Sequence, residues 1–75
     1  MAVNYNKLFH MLIDKGISTS QLAIKAGISA NIVSRLKKNE YISLETIESI
    51  CGALNCTPND ILDIVDTEEV KNENN

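Results

Sequence analysis

The segment SANIVSRLKKN, residues 29–39, carries polar side chains of the kind that can read the edge of a base pair. A carboxamide such as that of Asn31 can bond N6 and N7 of adenine, and the guanidinium of Arg35 can fork onto O6 and N7 of guanine. The methyl of Ala30 suits the methyl of thymine, and Ile32 suits thymine methyls or sugars. Each residue also has a plainer use. Asn31 can help to cap a helix, Ala30 favours helix formation, and Ile32 can pack under the segment that follows. Arg35 can meet a phosphate or water instead of a base. Around these four stand Thr19, Lys25, Ser29, Ser34, Lys38 and Asn39, whose hydroxyls, ammonium groups and amide are expected to clamp phosphates. Phosphate contacts fix position without reading sequence. Ser29 is expected to act foremost as a helix cap.

Other chemistry finds little to stand on. The cysteines, Cys51 and Cys56, are five apart, and His10, the sole histidine, is remote in sequence. A zinc site needs about four ligands of the right kind, and no acid or nucleophile motif accompanies His10. The expectation is no catalytic residue, no metal and no cofactor, with both cysteines serving as small apolar filler.

The reading segment needs elements to present it, and the punctuation supplies them. Gly16, Gly27, Asn39 and Asn55 each follow an apolar stretch, and Gly and Asn tolerate the left-handed backbone that ends many helices. Ser18, Ser29, Ser43 and Thr57 follow as caps for the next helix. Gln21 stands three after Ser18, at capping-box spacing, and Pro58 fits a first helical position. These marks predict an all-α chain of five short helices: about Tyr5–Lys15, Thr19–Ala26, Ala30–Lys38, Leu44–Leu54 and Pro58–Val65. Apolar spacing agrees: Leu8 with Leu12, Leu22 with Ala26, Val33 with Leu36, and Ile47, Ile50 and Leu54 recur at three and four. Only Gly27-Ile28-Ser29 separates the second and third helices. So short a break forces a steep crossing, with Ala23 small enough for close approach and Leu22, Ile28, Val33 and Leu36 filling the angle. That is the geometry of a helix-turn-helix, whose second helix can enter a major groove.

These residues resemble the Cro/C1-type helix-turn-helix family, known from lambdoid phage repressors. The match rests on Gly16, Ile17, Ser18, Leu22, Ala23, Gly27, Ile28, Ser29, Val33, Ser34 and Leu36, and continues through SLETIESICGALNCTPNDIL, residues 43–62. It covers about residues 5–65. The resemblance implies a compact five-helix, lambda-repressor-like DNA-binding domain at 1–65, with helix 3 in the major groove of an operator. It also implies a regulator of transcription, in all expectation a repressor. Four departures from the family pattern matter. Thr19 stands where the family often has a phosphate-contacting Gln. Leu12 and Lys37 replace a common Arg–Glu pair. The loop 38–42 is short, with Asn39 in place of Gly. Ile32 replaces a residue that is usually polar.

Charge and length bound the rest. The chain has 75 residues and a formal net charge of −3. Residues 1–39 hold six basic residues against one acid, a net +5, while residues 40–75 hold one lysine against nine acids, a net −8. The basic half provides an electrostatic footprint for DNA. The rival reading is a protein-interaction module of the same fold, antitoxin-like or anti-repressor, favoured by the net negative charge and by Thr19. No apolar run approaches the roughly 20 residues that span a bilayer, and the N-terminus lacks the pattern of a signal peptide, so a cytoplasmic protein is expected. No small-molecule ligand is apparent. Residues 66–75 are acidic and poor in apolar groups, and read as a disordered tail. One such module reads few base pairs, so a weak homodimer on a two-fold site is expected. Helix 5, with Ile61, Leu62, Ile64 and Val65, offers a seam.

Overall fold

The computed structural model describes residues 2–65. The chain runs β1 (Ala2–Asn4), α1 (Asn6–Lys15), α2 (Thr19–Ala26), α3 (Ala30–Lys37), α4 (Leu44–Leu54), a 3-10 turn (Pro58–Asp60) and β2 (Asp63–Val65). The second and fourth helices start and end where the punctuation places them. The expected tail, 66–75, lies outside the described residues.

Three of the four α-helices, α2, α3 and α4, start at a capping serine. Ser18 Oγ accepts from the Gln21 N–H at 3.1 Å, and Gln21 Oε1 accepts from the Ser18 N–H at 2.8 Å, closing a capping box. Ser29 Oγ accepts from the Ile32 N–H and Ser43 Oγ from the Thr46 N–H, both at 3.2 Å. The helix ends share one device. Gly16, Gly27, Asn39 and Asn55 all have positive φ, between 54° and 69°. Past each of them the next residue's N–H returns to a carbonyl five residues back: Ile17 to Leu12, Ile28 to Ala23, Glu40 to Arg35 and Cys56 to Cys51, at 2.9–3.0 Å. This is the 6→1 bond of the Schellman motif, which brings the two side chains at its ends together. Three of the four pairs are apolar. The pair at the end of α3 is Arg35 with Glu40.

The core gathers Val3, Tyr5, Leu8, Leu12, Leu22, Leu36, Ile47, Ile50, Cys51, Leu54 and Ile61. Leu12 packs there as an ordinary core residue. Burial raises the Cys51 thiol to about 11, and the neighbouring Cys56 adds to the rise. α2 packs against both α3 and α4, so the helix that supports α3 is itself held by the core.

The fifth helix is a correction. The segment after Pro58 makes one 3-10 turn and then a strand, with β2 pairing antiparallel to β1 in the register Ala2↔Val65, Val3↔Ile64, Asn4↔Asp63. The Thr57 N–H and hydroxyl both donate to the Asp60 carboxylate, at 3.0 and 3.1 Å, which closes the turn tightly. Beyond it stand Ile64 and Val65, β-branched residues that fit a pleated surface, and β1 offers a partner. Lys7 Nζ meets Asp63 at 3.1 Å and holds the ribbon against α1. The fold is thus four α-helices and a two-stranded ribbon among the described residues. The helical seam proposed from Ile61, Leu62, Ile64 and Val65 does not exist as such: Ile61 is fully buried and Leu62 packs on the core, leaving Ile64 and Val65 exposed.

Candidate nucleic-acid interface

Helical geometry sorts the side chains of α3 into two faces. Val33 and Leu36 are buried, and Ile32 is partly buried against the core. Ala30, Asn31, Ser34, Lys37 and Lys38 are exposed. Asn31, Ser34 and Lys38 recur at three and four, so they share the face opposite the core. Ala30, Ser34 and Lys37 line a groove between α3 and α2, whose other wall includes Thr19 and Ser20. Hydroxyls and an ammonium group therefore flank a small methyl-bearing surface. Asn31 and Ser34 make no side-chain hydrogen bond among the described residues, and Lys37 and Lys38 form no ion pair there.

The structure distributes the expected site residues unevenly. Ala30, Asn31, Ser34, Lys38 and Thr19 come together on or beside the outer face of α3. Ser29 caps α3 from the same end, with its hydroxyl exposed. Lys25 sits at the far end of α2, beside Gly16, Ile17 and Gln21, on a different surface. Ile32 turns toward the core. Asn39 adopts φ +58°, and its Oδ1 accepts from the Tyr5 N–H at 3.1 Å, so that oxygen serves the fold.

Arg35 departs most from expectation. Its Nε donates to Glu40 Oε1 at 3.2 Å, and its Nη2 donates to the Tyr41 carbonyl at 2.6 Å. The guanidinium is turned to the loop after α3. Three residues absent from the expected site also matter. Lys37 and Ser20 line the α2–α3 groove, and Lys37 was legible as the residue three beyond Ser34 on α3. Tyr5, buried at 1% exposure, anchors the loop from within.

The match to known proteins agrees with this geometry. Residues 7–67 match the model of the Cro/C1-type HTH DNA-binding domain. The chain belongs to that family. Within the Cro/C1-type proteins, the chain is 39% identical over 61 residues to YozG of Bacillus subtilis (strain 168), an uncharacterized HTH-type transcriptional regulator; the match covers 79% of this chain and 73% of that protein. The crystal structure of the transcriptional regulator VanUg superposes with a TM-score of 0.82 at 38% identity, covering 85% of each chain. The Cro/C1-type family is one of DNA-binding domains rather than of enzymes. No helix among the described residues is long and apolar enough to cross a membrane.

Proposed function

We propose that this protein is a sequence-specific, double-stranded DNA-binding regulator of transcription that represses by inserting α3 into the major groove of an operator. The observation that carries this reading is the outer face of α3, where Ala30, Asn31 and Ser34 are exposed and, among the described residues, make no side-chain hydrogen bond. Asn31 reads adenine and Ala30 lies against a thymine methyl. Thr19, Ser20, Ser34, Lys37 and Lys38 hold phosphates on either side, and Ser29 serves first as the cap of α3. The reading places the protein in the cytoplasm, with DNA as its partner.

A homodimer on a two-fold site extends the reading, because one α3 spans few base pairs. Half-sites would then recur about one helical turn, or roughly 34–36 Å, apart. Titration of a labelled pool of random duplexes, at low and raised salt, tests the core of the proposal. Binding that weakens steeply with salt is expected, because basic side chains displace counterions from phosphates. Absence of binding at low salt would instead favour the protein-interaction module.

A further inference from the structure

The end of α3 differs from the other three helix ends in one chemical respect. Leu12 with Ile17, Ala23 with Ile28, and Cys51 with Cys56 place apolar side chains across the left-handed stop. Across Asn39 the pair is Arg35 with Glu40, an ion pair at 3.2 Å. Arg35 adds the 2.6 Å bond to the Tyr41 carbonyl. From the inside, Tyr5 holds the same loop by its hydroxyl on the Glu40 carbonyl at 2.7 Å and its N–H on Asn39. The loop is pinned from both sides, and Arg35 supplies the outer pin.

We propose that Arg35 fastens the loop after α3 rather than reading a base, and that each α3 reads its half-site as A·T pairs, because the chain's only guanidinium is held by its own loop at the C-terminal end of the helix. The inference rests on the DNA-binding reading above and names the class of duplex that reading takes. The side-on edge of the guanidinium, Nε and Nη2, is engaged by Glu40 and Tyr41, which turns the group toward the C-terminal end of α3. Helix-turn-helix proteins read base edges from the N-terminal residues of this helix. Those residues are Ala30 and Asn31. A methyl group suits thymine and a carboxamide suits adenine. Its end-on edge keeps free donors but is carried with the group to the C-terminal end of α3, and swinging it to a base beside Asn31 would take the donor from the Tyr41 carbonyl and bare the Glu40 carboxylate beside a polyanion. Lys37 and Lys38, at the far end of α3, fall on phosphates.

Selection of bound sites from random duplexes, run in parallel on the native protein and on Arg35→Gln, tests this. Gln keeps an N–H donor about where Nε meets Glu40 but has no cationic fork. Thermal melts establish that the variant is folded; if it is not, Arg35→Lys replaces it, keeping the charge and a donor without the planar fork. The expected result is an A·T core in each half-site, the same in both proteins, with affinity for the selected duplex changed less than about threefold, well short of the roughly tenfold that a lost base contact would give. A fixed guanine in the core of the native motif overturns the inference while leaving the DNA-binding reading intact. A random pool that shows no enrichment at all overturns that reading instead, and the inference with it.

Discussion

The hydroxyl of Tyr5 donates to the carbonyl of Glu40 at 2.7 Å, joining the residue before α1 to the loop that follows α3. The two are 35 residues apart in sequence. Tyr5 also follows β1 directly, so the terminal ribbon, the core and the loop after α3 meet at one side chain. Removing only the hydroxyl, by Tyr5→Phe, leaves the ring in the core and the Glu40 carbonyl without that donor. A loss of about 1–3 kcal/mol is expected by urea denaturation. A loss within error would mean that the loop holds itself.

Ser29→Ala should cost about 1 kcal/mol of stability by removing the cap of α3. If Ser29 serves chiefly as a cap, DNA affinity should fall only as far as the helix frays. Comparison of the urea midpoint with the duplex dissociation constant checks this. A fall in affinity much larger than the fall in stability would make Ser29 a phosphate ligand in its own right.

Asn31→Ala should weaken binding to the preferred duplex by about 1–3 kcal/mol and leave binding to random duplex nearly unchanged. Lys38→Ala should act oppositely, weakening both duplexes alike and lowering the salt slope by about 1. Anisotropy titrations over a salt series separate the two behaviours, and an unchanged slope would remove Lys38 from the interface.

Stability should fall at alkaline pH for an identifiable reason. Burial raises the Cys51 thiol from 9.0 to about 11, so the unfolded chain gives up that proton first. The contribution of the buried thiol is complete below pH 9.0 and is lost as pH rises toward about 11. Tyr5, raised by burial as well, acts in the same sense at higher pH. Melting temperatures of the native protein and Cys51→Ala should converge between pH 9.0 and about 11. Parallel curves would show that the thiol does not titrate in the fold.

Local signals were legible in the sequence and non-local ones were not. Ser18, Ser29 and Ser43 announced helix starts, and Gly16, Gly27, Asn39 and Asn55 announced stops, because capping and positive φ are properties of a few consecutive residues. The ribbon was illegible because Val3 and Ile64 pair across 61 positions, and three residues are too few to show alternation. Pro58 and Thr57 signalled a helix start truthfully, but the turn they opened lasted three residues. At the site, the outer face of α3 followed from Val33 and Leu36 marking the inner one. The fate of Arg35 did not, although a signal existed: a left-handed Asn39 brings residue 40 back over residue 35, and residue 40 is an acid.

The most direct test of the account is to map the DNA-bound face by NMR. Backbone amide shifts would be followed as a duplex drawn from the selected pool is titrated into the labelled protein. The largest changes are expected at Ser18–Ser20 and Ser29–Lys38, with α1 and the ribbon formed by Ala2–Asn4 and Asp63–Val65 little moved. Largest changes in the ribbon or on the exposed side of α4, with Ala30, Asn31 and Ser34 unmoved, would contradict the placement of α3 in the groove.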